Sequence, residues 1–305
     1  MIFQHRNIIY SRVKFGCFYD AIEKREFDYV ASGHYAQLEE TGSSMRLLRA
    51  PDPVKDQSYF LAALTQKQLR RVIFPIGEFH KFEVRELAEK FDLPNKNRPD
   101  SQGLCFLGKV KFDDFIRAYL GDQPGDIVDA ESGDIIGEHS GVWFHTVGQR
   151  KGLGLFLHPK ATAKGPWYVV AKDPKNSLII VSNRYDDDTF ESTRSEFYVE
   201  DVKWITTSPP IHATDENHTI RLSMKIRHGP NVVNGSLEMR RDNSLKKDSP
   251  IIAKILLDAK DGGLAPGQFV AFYTYNGTEC LGSGVISEKH WTKFLSSRTK
   301  QIEST

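Results

Sequence analysis

The chain has 305 residues, 39% hydrophobic and 27% charged, an ordinary globular composition with room for two or three domains. Its 41 basic and 40 acidic residues leave a net charge of +1, so no global field argues for a nucleic-acid partner and any RNA-binding role has to come from local motifs. Three distant cysteines, Cys17, Cys105 and Cys280, exclude a disulfide framework and a paired CxxC metal site, and no apolar run approaches the roughly 20 residues of a membrane span.

In chain order, KFGCFYDAIEKRE has helical periodicity, which predicts Phe15, Phe18, Tyr19 and Ile22 on an inward face, with Cys17 packed on the same apolar side. FDYVASGHY follows as a short strand running into a Ser-Gly turn. Helix, strand and glycine turn in succession are the rhythm of a parallel α/β sheet. SMRLLRA at 44–50 reads as a further strand. TQKQLRRVIF, KFEVRELAEKF and VKFDDFIRAYL read as amphipathic helices, the last stopped by Gly121 and Pro124. GDIVDAESGDIIG predicts a hairpin around Glu131-Ser132-Gly133, and WFHTVGQ, WYVVAKD and SLIIVSN read as strands.

Beyond about residue 190 every apolar run is short and alternating: EFYVEDVKWI, TIRLSMKIRH, GSLEMRR, PIIAKILLD, QFVAFYTY and CLGSGVI. Such spacing predicts a small β-barrel or sandwich. The expected organisation is a mixed α/β unit over residues 1–110, a β-rich central unit over 111–187, a β domain over 188–290 and a polar tail at 291–305. The fold class is therefore multidomain α/β plus β.

No Walker A, G-x-G-x-x-G, G-x-S-x-G or H-E-x-x-H motif occurs, and no protein-bound metal is expected. The sharpest local feature is RPDSQGLCFLG, where Cys105 follows a polar, glycine-containing turn. Such a thiol is either exposed with a lowered pKa or a buried, inert side chain. Cys280 lies within a strand and reads as a packing residue. Gly33 and His34 stand where a strand leaves an α/β sheet, the place ligands approach, though a plain turn fits as well. Lys55, Asp56 and Gln57 precede an aromatic pair. They suit phosphate or base-edge contact, with Tyr59 available to stack on a base, or else a charged helix start. Gln149, Arg150 and Lys151 among glycines suit phosphate contact or a solvated hairpin tip.

Each motif is weak singly, but the ordered series GHYA, KDQSYFL, DSQGLCF, HTVGQRKGLG, PWYVVAKD, PGQFVAFY and CLGSG resembles the bacterial and organellar tRNA 2-thiouridylases, of the PP-loop superfamily, from about residue 11 to residue 286. The resemblance implies a Rossmann-like PP-loop domain, here incomplete, a small central domain and a C-terminal β-barrel. It implies ATP-dependent transfer of a persulfide sulfur to C2 of the tRNA wobble uridine, with a second cysteine releasing the sulfur as a disulfide forms. ATP, with Mg, is the implied cofactor. The implied partners are tRNA and a persulfide donor or relay protein, in the bacterial cytoplasm, mitochondrion or plastid. By the same carry-over, Cys105 matches the persulfide-carrying cysteine and Gly33 a backbone contact to ATP. His34, Lys55, Asp56, Gln57, Arg227, His228 and Gln268 match tRNA-contacting positions.

The sequence departs from that pattern in two places. It contains no SGGxDS phosphate loop, and the tract NIIYSRVKFG has Ile8, Ile9 and Tyr10 where the family has its other cysteine. The expectation is a chain that begins inside the family's first domain, as a truncated gene model, an alternative start or a decayed, non-catalytic tRNA-binding copy. Its unaided catalysis is expected to be weak or absent.

Overall fold

The computed structural model of the protein describes residues 9–22, 27–98, 112–153, 166–184, 195–206, 208–210, 219–241, 251–261 and 264–287. The first helix winds as a π-helix over Ile9–Cys17 and continues as α1 (Phe18–Ile22). Phe15 and Tyr19 are buried, edge to face at 5.9 Å, as the periodicity predicts. Phe18 is half exposed and Cys17 is exposed, against expectation for both. The cause is the wider π winding ahead of them, in which a 3.6-residue period no longer assigns faces.

The chain then forms β1 (Val30–Ala31), a hairpin of β2 (Ala36–Thr41) and β3 (Ser44–Arg49), α2 (Ser58–Leu61), α3 (Gln66–Leu69), β4 (Val72–Ile73) and α4 (Lys81–Lys90). β1 and β4 pair in parallel, Val30 opposite Val72, the α/β element that the sequence led one to expect. The helix expected from Thr65 onward lasts a single turn. Thr65 caps it reciprocally with Gln68, whose side-chain oxygen accepts from the Thr65 amide at 2.9 Å. The β-branched Val72 and Ile73 then leave the helix to extend beside β1.

The central unit begins with α5 (Phe112–Leu120), which stops at Gly121 in the left-handed region with φ +70°. β5 (Gly125–Asp129) and β6 (Ile135–His139) form the expected hairpin, its turn fixed by Asp129, whose carboxylate accepts from the Glu131 amide and the Ser132 hydroxyl. β7 (Tyr168–Asp173) and β8 (Leu178–Ser182) complete a sheet of order β6-β5-β8-β7, in which β5 and β8 run parallel. The expected strand WFHTVGQ is instead a 3-10 turn, Val142–Phe144, followed by a loop. In that loop the Gln149 side chain accepts from the Thr146 amide at 3.0 Å and donates to the Lys151 carbonyl at 2.9 Å, so local side-chain bonding replaces a ladder.

All six late strands form where the alternation places them: β9 (Glu196–Trp204), β10 (Thr219–Lys225), β11 (Val233–Arg241), β12 (Ile251–Leu257), β13 (Phe269–Tyr273) and β14 (Glu279–Ile286). Their order is β13-β10-β11-β12-β9-β14, and β14 pairs back onto β13, closing a six-stranded barrel. The hairpin β2–β3 adds to its outside through β3 on β14, Leu47 opposite Cys280.

β13 joins the two halves of the molecule. Side chains alternate across a strand, so Val270 and Phe272 enter the barrel core while Phe269, Ala271 and Tyr273 enter a second core with Phe15, Leu47, Tyr59, Leu61 and Leu69. A strand buried on both faces reads as the unbroken apolar run FVAFY.

Candidate functional site

The site is assembled from three loops. The first is Ser32–Tyr35, at the carboxyl end of β1. The second, Pro51–Gln57, is shaped by Asp52. The Asp52 carboxylate accepts from the amides of Val54 at 3.0 Å, Lys55 at 3.1 Å and Lys81 at 3.1 Å, and its carbonyl accepts from the Asp56 amide at 2.8 Å. The third is the barrel segment that follows β10, with the turn that enters β13.

The first two loops are zipped by one residue pair. The Gln57 amide donates to the Tyr35 carbonyl at 2.8 Å, and the Tyr35 amide donates to the Gln57 side-chain oxygen at 3.0 Å. Gly33 is exposed beside this junction. A Cβ built there meets only the Ile76 side chain, at 3.9 Å, so its backbone is open to a ligand and needs no left-handed conformation. His34 turns inward: it is buried, its Nδ1 lies 2.9 Å from the Ser32 hydroxyl, and its ring packs against Phe15 and Phe74. Burial, helped by the nearby Lys14 cation, lowers its pKa to about 3, so it is neutral at physiological pH.

Asp56 connects the second loop to the barrel and is 1% exposed. One carboxylate oxygen takes the Lys225 ammonium at 2.5 Å and the Arg49 Nε at 2.9 Å. The other accepts from the Ser58 hydroxyl at 2.7 Å and the Ser58 amide at 3.2 Å. Burial opposes the Asp56 charge, but the Lys225 cation and these hydrogen bonds outweigh it and hold the carboxyl below its ordinary range. Ser58 continues the chain to the Tyr273 hydroxyl at 3.0 Å. Lys225 itself is fully buried. It points away from the barrel interior, which Leu222, Met224 and Ile226 fill, and onto a face that the KDQSYFL segment covers.

Two aromatic residues of the same segment reach further along the barrel. The Tyr59 hydroxyl donates to the Phe269 carbonyl at 3.1 Å and lies 3.4 Å from the Ile226 carbonyl. Tyr59 is 3% exposed, so the sequence expectation that it stacks on a base gives way to a role inside the protein. Phe60 stacks on the His228 imidazole with centroids 4.7 Å apart and planes inclined 20°. Arg227 stands at the surface with its guanidinium 3.3 Å from Asp261. Gln268 is buried, and its side-chain oxygen has no hydrogen-bond partner among the described residues.

The structure thus brings Gly33, His34, Lys55, Asp56, Gln57, Arg227, His228 and Gln268 into one connected neighbourhood. Cys105 and its motif lie outside the described residues. Arg49, Ser58 and Lys225 were not singled out from the sequence. The available signal was a lysine and two serine or arginine positions on the barrel's outer parity, at Arg221, Ser223 and Lys225, which reads as an ordinary solvated face. Among the described residues no group of three or more His, Cys, Asp or Glu side chains is placed to hold a metal ion, and no helix is long and apolar enough to cross a membrane.

Three consecutive segments match known families: residues 9–109 the tRNA methyl transferase HUP domain, 113–183 the tRNA methyl transferase PRC-barrel domain and 194–286 the aminomethyltransferase beta-barrel domain. A tRNA-specific 2-thiouridylase MnmA from Parabacteroides distasonis is 41% identical over 277 residues, spanning 91% of this chain and 71% of the relative. The chain belongs to the tRNA-specific 2-thiouridylase family. A second thiouridylase, from Bacteroides thetaiotaomicron, is 41% identical over 275 residues, and a third, from Porphyromonas gingivalis, 40% over 284, each covering 90% of this chain and 72% of the relative. In this thiouridylase the parallel β1–β4 pair lies in the HUP, or PP-loop, domain, and the closed six-stranded barrel is the C-terminal domain.

Proposed function

We propose that the chain acts in 2-thiolation of tRNA, with ATP-dependent transfer of a persulfide sulfur to C2 of the wobble uridine. In this reading ATP, with Mg, supplies the leaving group by adenylating the C2 oxygen. Gly33 fits a nucleotide contact, since its backbone is exposed just past the carboxyl end of a parallel strand and no side chain covers it. Cys105 carries the sulfur as a persulfide delivered by a donor or relay protein; its outer sulfur displaces AMP at C2, and a second thiol, external where this chain has none at the family's position, forms a disulfide with Cys105 to break the S–S bond and free the 2-thiouridine.

The observation that carries the tRNA part is the joining of the Lys55–Gln57 loop to the barrel segment of Arg227, His228 and Gln268 by Asp56, Tyr59 and Phe60. Arg227 offers an exposed cation, and Gln268 a carbonyl oxygen that a ribose hydroxyl or base N–H would satisfy. His34 and Asp56 serve the same surface by holding the loops that carry it.

Titration of unmodified tRNA tests this reading. Arg227→Ala and Lys55→Ala are expected to weaken binding and each to lower the salt slope by about one phosphate contact. Gln268→Ala is expected to weaken binding without changing that slope. Unchanged affinity in all three would contradict it.

A further inference from the structure

We propose that Tyr59 is a positioning residue for the tRNA grip, a bracket that fixes the two barrel segments carrying Arg227, His228 and Gln268 against the Lys55–Gln57 loop. The tRNA-binding reading of Arg227 and Gln268 is its premise. Tyr59 is buried, with its hydroxyl turned into the protein rather than toward a bound RNA. Its phenolic proton is directed at the carbonyl of Phe269, the residue after Gln268, while the carbonyl of Ile226, the residue before Arg227, lies within reach of the same hydroxyl. One hydroxyl from the α/β unit thus sits on the backbone next to both barrel contacts.

The neighbours of Tyr59 repeat the arrangement. Asp56 holds Lys225, two residues before Arg227, and Phe60 holds His228, one residue after it. Four consecutive barrel residues, Lys225, Ile226, Arg227 and His228, are therefore gripped at three points; Lys225 and Ile226 are buried, while Arg227 and the stacked His228 are exposed. Arg227 sits beyond the end of β10 and Gln268 just ahead of β13; the Gln268 carbonyl already accepts from the Ile286 amide at 2.8 Å, and the KDQSYF contacts add to the fixing of the residues beside both. Pre-setting a cation in its bound position removes an ordering cost from binding. Loss of the bracket then acts on RNA affinity through groups that remain chemically intact.

Tyr59→Phe removes only the hydroxyl. The expected result is a roughly fivefold loss of tRNA affinity, the scale of one hydrogen bond, together with a shallower dependence of affinity on salt although no charge has been removed. Tyr59→Phe is expected to cost less affinity in an Arg227→Ala background than alone, and to leave the salt slope of Arg227→Ala unchanged, because only its part acting through His228 and Gln268 then remains. A lowered melting temperature with affinity and salt slope unchanged would assign Tyr59 to stability alone and overturn the proposal. If Arg227→Ala itself leaves affinity and slope unchanged, the premise fails, and the proposal with it, by a result that Tyr59→Phe does not give. Phe60→Leu, which removes the ring stacked on His228 while keeping an apolar side chain, provides the same readings should Tyr59→Phe fail to fold.

Discussion

The Asp56 carboxylate and the Lys225 ammonium meet at 2.5 Å with both side chains shut off from solvent, one from the loop ahead of α2 and the other from barrel strand β10. A buried ion pair is costly to form and more costly to break on one side. Its place at the junction makes it a lock between two units rather than an ornament of either.

Removing one partner should therefore do more harm than removing both. Lys225→Met removes the buried cation from Asp56, leaving the Arg49 guanidinium and the Ser58 donors, and is expected to cost about 3–5 kcal/mol, whereas Asp56→Asn combined with Lys225→Met should cost clearly less. Urea unfolding of the single and double variants measures the difference, and equal losses would contradict the lock.

The two described free thiols should differ sharply in reactivity. Cys17 is exposed, while Cys280 is 1% exposed with its sulfur 3.9 Å from the Gly282 carbonyl, and burial pushes its thiol pKa well above the ordinary value. Alkylation of native protein followed by peptide mapping should modify Cys17 quickly and Cys280 only after denaturant is added. Comparable native labelling of both would contradict the packing around β14.

The fold should lose stability on mild acidification. An imidazole in the unfolded chain takes up its proton near 6.5. In the fold, burial and Lys14 hold His34 down to about 3, and burial with His139 and Lys172 holds His145 down to about 4. Below 6.5 the unfolded state therefore binds more protons than the folded one. The stabilisation is complete above that pH and drains away as pH falls toward 4. Melting temperatures at pH about 7.5 and about 5 should show the drop, and His34→Gln should narrow it.

Glycine substitutions should separate an open position from a filled one. A Cβ at Gly33 meets nothing closer than 3.9 Å, so Gly33→Ala is expected to leave the melting temperature nearly unchanged while disturbing nucleotide contact. A Cβ at Gly77 falls 1.8 Å from the Ala36 carbonyl oxygen, so Gly77→Ala must displace backbone and should destabilise by several kcal/mol. Thermal unfolding of the two variants checks the contrast.

Much of this was legible in the sequence because it rests on local periodicity. The six barrel strands and the β5–β6 hairpin fall where alternation and turn residues put them. What failed was decided by tertiary partners. Val72 and Ile73 read as helix until β1 offers a parallel neighbour. WFHTVGQ has strand-like residues, but Gln149 supplies its hydrogen bonds from within. Phe18 and Cys17 were placed by a 3.6-residue period that the π winding does not obey. The contact series at Lys55–Gln57, Arg227 and Gln268 was visible only as scattered motifs. The elements joining them, Lys225 and the inward hydroxyl of Tyr59, follow no periodic rule, because their burial depends on a segment about 170 residues away.

We propose that sulfur reaches tRNA through Cys105. The most direct measurement is mercury-gel retardation of unmodified tRNA after incubation with ATP and a persulfide donor, comparing a version of the protein extended to the full length of its relatives with the Cys105→Ser variant of that version. A retarded band that disappears in Cys105→Ser, while tRNA binding stays intact, is the predicted result. A retarded band of equal intensity from Cys105→Ser would contradict it.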